Sequence, residues 1–133
     1  TFLGIWIRNL LEGKPIQVFG DGKQRRDYNF VEDVIDAMLI VATNKMAVGK
    51  VFNLGSHKPI NLEKTAEIMC KIIKNSKYHL VPFPANRKAI DVGDFVSDFS
   101  NFEKTFSWAP KVNFSEGIEE TMKYFQKEIS FYV

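Results

Sequence analysis

The stretch Lys14-Pro-Ile-Gln-Val-Phe-Gly-Asp-Gly-Lys-Gln-Arg-Arg-Asp-Tyr28, running on to Val31-Glu-Asp-Val34, decides how this chain is read. Ile16 to Phe19 is short, apolar and closed by Gly20-Asp21-Gly22, the pattern of a strand entering a turn whose glycines are free to take positive φ. Arg25 and Arg26 follow. A helix then begins, with Glu32 and Asp33 in its first turn, where the dipole favours acids. Alternation along the strand puts Ile16 and Val18 on one face and Gln17 and Phe19 on the other. A strand edge, an aromatic ring and a guanidinium therefore fall together within residues 17–26.

Those are the groups a nucleotide needs: a flat surface for the base, backbone polar groups for its edge and a planar cation for phosphate oxygens. Each also has a plainer use. Phe19 could pack beneath its own turn. Arg26 could pair on the surface with Asp27 or Asp33, at less than about 1 kcal/mol. Residues 82–94 hold Arg87, Lys88, Asp91 and Asp94. They could supply a second phosphate clamp and a carboxylate for sugar hydroxyls, or form a solvated connecting loop.

Outward from this stretch, the pattern is mixed α/β. Phe2, Ile5, Trp6, Asn9 and Leu10 have helical spacing and Gly13 ends that helix, which spans 1–12. The helix starts abruptly, without an initiating Met, which suggests a chain cut from a longer protein. Residues 30–43 form a strong helix whose apolar face is Val31, Val34, Ile35, Met38, Leu39 and Ala42. Val51 to Leu54 is a short strand closed by Gly55. Asn61 caps a helix over 62–75 with Leu62, Ala66, Ile68, Met69, Ile72 and Ile73 on one face. An extended run at 79–82, a stretch at 83–98 that is mostly loop and a short helix at 101–106 follow. Ser115 is placed to cap a last helix over 116–130 that turns Ile118, Met122 and Phe125 inward. The expected fold is a single domain over 1–133, a small mixed layer of four to five helices and three or four short strands.

The bulk composition excludes several classes. A 133-residue chain can bury roughly two-thirds of its unfolded surface. Its aromatic share is 14%, with 12 Phe, most of them suited to core packing. A net charge of +2 gives no electrostatic case for nucleic acid. No apolar run is long enough for a membrane span. One cysteine, Cys70, rules out an internal disulfide framework and suits a reducing, cytoplasmic setting; its helical apolar pattern reads as a buried structural thiol. His57 and His79 lack neighbours at metal-ligand spacing, so no metal site is expected. The acids offer no trusted acid–base pair, the serines no nucleophile elbow, and Gly20 and Gly22 no third glycine for a dinucleotide fingerprint.

The Gly-Asp-Gly…Arg-Asp-Tyr…Val-x-Asp-Val combination over residues 20–34 resembles the extended short-chain dehydrogenase/reductases that act on nucleotide sugars, the NAD-dependent epimerases and dehydratases. Val51-Phe-Asn-Leu-Gly55 is similar to that family's short strand, and 61–72 to the helix after it. Residues 99–125, with Trp108-Ala-Pro110 and Glu116-Gly-Ile118, look like its closing segment, although Phe106-Ser107-Trp108 stands where Leu-Gly-Trp is usual. The resemblance covers essentially the whole chain. It implies the C-terminal, substrate-binding lobe of a split Rossmann-type enzyme, without the N-terminal dinucleotide-binding domain.

By the same resemblance, Arg26 binds the diphosphate of a nucleotide sugar. Gln17 meets the base edge through its backbone, beside Phe19, and Asn53 is a further candidate for a phosphate or sugar contact. Arg87 is the second phosphate arginine and Asp91 accepts from ribose hydroxyls. The family often has an arginine three residues before that aspartate, where this chain has Lys88, so Arg87 and Lys88 both stand as candidates. The family's NAD or NADP and its Tyr-x-x-x-Lys pair belong upstream of residue 1. Tyr28, Tyr78 and Tyr124 are followed at that spacing by Glu32, Pro82 and Glu128. No catalytic or cofactor-binding residue is therefore expected in this chain. The other class of function is a non-enzymatic interaction module that assembles through apolar surface. The 30–43 helix and 51–54 strand would pack against the missing domain in the family, and alone would favour self-association.

Overall fold

The computed structural model describes residues 2–132. Helix α1 (Phe2–Leu11) buries Trp6, Ile7 and Leu10. It ends as the sequence expects. Gly13 takes a φ of 71°, its N–H donates to the Leu10 carbonyl at 3.1 Å, and the Lys14 N–H donates to the Asn9 carbonyl at 2.7 Å. These paired bonds satisfy carbonyls that a helix end leaves free.

Strand β1 (Ile16–Phe19) buries Ile16 and Val18 completely and turns Gln17 and Phe19 the other way. Its partner is β4 (Tyr78–Val81), parallel, with Ile16 opposite Tyr78 and Phe19 opposite Val81. A second, antiparallel pair joins β2 (Arg25–Arg26) to β3 (Ile60–Asn61). Helix α2 (Val31–Thr43) follows β2. Helix α3 (Leu62–Ile72) follows β3, capped by Asn61, whose Oδ1 accepts from the Lys64 N–H at 2.7 Å. Short helices α4 (Ala85–Lys88) and α5 (Ser100–Phe106) precede the last long helix, α6 (Phe114–Glu128).

Two apolar clusters hold these elements. The larger joins α1, β1, α3 and α6 through Trp6, Leu10, Val18, Met69 and Met122. The smaller is aromatic: Phe99, Phe102 and Trp108 packed under Ala37 of α2. One polar clamp ties the halves together. Asp33 is almost fully buried, and its carboxylate accepts the N–H of Lys111 at 3.1 Å and of Val112 at 3.0 Å.

The structure differs from the sequence reading at several places. Residues 51–55 form no strand: a strand is defined by paired N–H and C=O groups, and among the described residues none runs beside them. The α6 cap is Asn113, not Ser115. Asn113 Oδ1 accepts the Glu116 N–H at 3.1 Å and Glu116 answers by accepting the Asn113 N–H, which places Ser115 inside the first turn. Helix α3 stops at Ile72, ahead of Asn75, which takes a φ of 64°. The stretch read as mostly loop at 83–98 also holds the single-turn α4 and a bridge from Phe95 to Arg26. Cys70 is half-buried, with burial pushing its thiol pKa up.

The apolar stripe of α2 points outward. Val31, Met38 and Leu39 are 60%, 61% and 59% exposed, and Val51 nearby is 88% exposed. Between α2 and residues 47–54 runs an apolar groove of about 380 Å³, floored by Phe52, Leu54 and Phe102.

Candidate functional site

A second cavity, of about 210 Å³, opens on the opposite face of β1 from the core. Its walls come from five places. Residues Phe2, Ile5, Trp6 and Asn9 present one side of α1. Gln17 and Phe19 come from β1, Gln24 and Arg26 from the segment ending in β2, and Phe83, Arg87 and Asp91 from the 82–94 connection. Leu62 contributes from the start of α3.

The strand edge is open here. The N–H groups of Ile16 and Gly20 donate to the carbonyls of Lys77 and Val81, on the β4 side. Backbone groups alternate sides along a strand, so those of Gln17 and Phe19 face away from β4. Among the described residues, no strand pairs with that edge. A flat, hydrogen-bonding ligand edge could therefore take the main chain of Gln17 beside the ring of Phe19. Phe83 packs against Phe19, with ring centroids 5.7 Å apart, and the Arg87 guanidinium lies 5.8 Å from the Phe19 centroid. That distance is within cation–π range.

Among the described residues, neither Arg26 nor Arg87 forms an ion pair. The acids that could have neutralised Arg26 are engaged elsewhere. Asp27 accepts the Ser97 N–H at 2.9 Å, and Asp33 holds the main chain of Lys111 and Val112. Arg26 is oriented instead by neutral carbonyls: its Nη1 donates to Arg25 O at 2.7 Å and to Gly93 O. Arg25 makes the ion pair its neighbour lacks, with its backbone N–H and Nε reaching Asp94 at 2.7 and 2.8 Å. The backbone bond, and then the side-chain bond, hold the Asp94 carboxyl below its ordinary pKa. Asp91 accepts from Gln24 Nε2 at 2.7 Å through Oδ2.

Of the expected site residues, Gln17, Phe19, Arg26, Arg87 and Asp91 converge on this cavity. Asn53 and Lys88 are not among its walls. The Asn53 amide reaches the Asp98 carbonyl at 3.4 Å, and Lys88 is exposed at the end of α4. Sequence reasoning missed Trp6, Asn9, Gln24 and Phe83. For the first two a signal existed: Asn9 interrupts an otherwise apolar helical stripe, and a polar residue there marks a wet face. Gln24 and Phe83 carried no local signal.

Comparison with known proteins shows what the chain is similar to. Residues 1–55 match the NAD dependent epimerase/dehydratase family. The chain is 33% identical over 132 residues to dTDP-glucose 4,6-dehydratase of Haemophilus influenzae, covering 91% of this chain and 38% of that protein. UDP-glucose 4-epimerase of Thermotoga maritima, solved with UDP-glucose, superposes with a TM-score of 0.79 at 29% identity, over 97% of this chain and 40% of that one. dTDP-glucose 4,6-dehydratase of Bacillus anthracis, solved with NAD, superposes with a TM-score of 0.81 at 23% identity, over 98% and 40%. Over most of its length the chain is similar to the C-terminal part of proteins of the NAD dependent epimerase/dehydratase family. It spans about 38% of the length of the curated dehydratase.

The Gly20-Asp21-Gly22 turn does not have the form of a dinucleotide-phosphate turn. It leads into β2, not into a helix N-terminus. Gly22 backs onto α3: a Cβ there would lie 2.9 Å from Glu63 Cβ, so its missing side chain serves packing, not phosphate approach. Tyr28, Tyr78 and Tyr124 are hydrogen-bonded to Thr65, Glu63 and Tyr132 respectively.

Proposed function

We propose that this chain binds the nucleotide diphosphate portion of a nucleotide sugar, as the substrate lobe of an NAD(P)-dependent sugar epimerase or dehydratase. One observation carries the reading. Two arginines that form no ion pair among the described residues, an aromatic ring, an open strand edge and a carboxylate meet in one cavity. In the bound state the base lies against Phe19 with its edge on the Gln17 main chain, Arg26 and Arg87 hold the phosphates, and Asp91 accepts from ribose hydroxyls. Lys88 and Asn53 lie outside the cavity walls and take, in this reading, at most a contact with the sugar end.

The lobe's part in catalysis is positioning, which turns a bimolecular encounter into an oriented one. NAD or NADP and the proton-handling pair act from a dinucleotide-binding domain that completes the enzyme, and the chain alone is inactive. A free, half-buried thiol at Cys70 suits a reducing cytoplasm.

Calorimetric titration of the chain with UDP-, dTDP- and GDP-sugars tests the reading. Saturable binding of one or more supports it, and the ranking names the base. A folded chain that binds none overturns it.

A second reading rests on the outward stripe of α2. Val31, Met38, Leu39 and Val51 together with the 380 Å³ groove make an apolar surface of the kind soluble monomers cover. On that reading the chain is an interaction module that self-associates. Sedimentation should then show dimers that Leu39→Glu dissolves; a clean monomer at high concentration removes this reading.

A further inference from the structure

We propose that Gln24 is a positioning residue of the nucleotide cavity: its amide fixes Asp91 so that the second carboxylate oxygen is presented to the ribose hydroxyls. The inference rests on the nucleotide reading above.

Three consecutive residues hold the 91–95 segment. Gln24 Nε2 donates to Asp91 Oδ2, Arg25 grips Asp94, and Arg26 reaches the Gly93 carbonyl. Phe95 N–H closes the set by donating to Arg25 O at 3.0 Å. The contacts differ in what they face. Arg25 and Asp94 are absent from the cavity walls, so their ion pair anchors the strap from outside. Gln24 and Asp91 both line the cavity, so their bond sets the direction of a carboxylate that a ligand would meet.

The choice of glutamine has a chemical consequence. A lysine or arginine at this position would bind the carboxylate and neutralise it. An amide donates one hydrogen bond and leaves the negative charge available to a hydroxyl donor. Asp91 Oδ1 has no partner among the described residues. A carboxylate held at one oxygen and free at the other gives a directional acceptor; an unheld one would swing across the rim and lose that direction on average.

The test is a double cycle in which one change is in the protein and the other in the ligand. UDP and 2′,3′-dideoxy-UDP are titrated into the wild-type chain, Gln24→Ala and Gln24→Met, the last keeping the side chain's length while removing its donor. Wild type should bind UDP roughly tenfold tighter than the dideoxy form, the worth of one charge-assisted hydrogen bond. Both variants should bind UDP roughly tenfold more weakly than wild type and lose the preference between the two ligands. A general loosening of the fold would weaken both ligands alike and leave the preference intact, which would overturn the positioning role. Wild type that binds UDP without discriminating would overturn it too, while leaving the nucleotide reading standing. Wild type that binds neither ligand would remove the nucleotide reading and this inference with it.

Discussion

Replacing Arg26 with alanine removes a guanidinium whose hydrogen bonds can be counted. Its Nη1 is occupied by the carbonyls of Arg25 and Gly93. Nε and Nη2 remain, and together they form the side-on fork that matches two phosphate oxygens. No carboxylate competes for that fork among the described residues, so the ligand meets a cation that need not first be released from a protein partner. Charge-assisted hydrogen bonds contribute about 1.5–3 kcal/mol, which sets the expected loss at roughly tenfold to a hundredfold in Kd. Arg26→Lys keeps the charge but not the fork, and should recover only part of that loss. Isothermal titration with UDP, alongside a thermal melt, measures both variants. The melt matters because the bond to Gly93 also disappears and the 91–95 strap slackens. An alanine variant that melts like wild type and binds UDP unchanged would refute the assignment. Full recovery by lysine would refute the fork, though not the charge.

Asp33→Ala strands two N–H groups that its buried carboxylate satisfies, and should cost about 2–4 kcal/mol of stability in urea unfolding; a loss under about 1 kcal/mol would deny the clamp. Gly22→Ala forces a positive φ on alanine and drives its Cβ to 2.9 Å from Glu63 Cβ, so a loss of about 1–3 kcal/mol is expected, read from the same curves; an unchanged midpoint would refute that packing. Glu12 accepts hydrogen bonds from Arg8 and then Lys14, which lower its carboxyl from 4.5 to about 2. Its folded pKa is depressed, so its contribution is complete above 4.5 and is lost as pH falls through about 2. Carbon-detected NMR titration should give that midpoint, and a value near 4.5 would show that the exposed pair does not persist in solution.

Much of this fold was legible because local rules and tertiary demands agree. The period-two burial of Ile16 and Val18, the Gly13 stop and the Asn61 cap are each decided within a few residues, and each appears in the structure as read. The misreadings share a cause: they concern partners distant in sequence. Val51 to Leu54 has strand composition, but pairing needs a neighbour that composition does not name. Ser115 and Asn113 are both good caps, and Glu116, three residues after Asn113, decides between them by answering its N–H. At the site, Phe19 and Arg26 were visible because their plain readings could be stated and weighed. Gln24 was not, since its partner Asp91 lies 67 residues away and nothing local marks the pair. The choice between Arg87 and Lys88 is likewise a matter of which way a single helical turn faces, and adjacent residues on a helix face different ways.

The parallel pairing of β1 with β4 sets the order in which this molecule can come into being. Ile16 and Tyr78 must meet across nearly half the chain before the floor of the cavity exists. Closing so long a loop is paid in chain entropy before any contact returns it, and folds rich in such pairings form slowly. The cavity walls come from α1, β1, the β2 segment, α3 and the 82–94 connection, so no fragment of the chain carries the site ahead of the rest. A ligand held there recognises the folded state and not the unfolded one. Its binding free energy therefore adds to global stability, by about 2.7 kcal/mol at a hundred times Kd, and melting temperature becomes a direct gauge of occupancy.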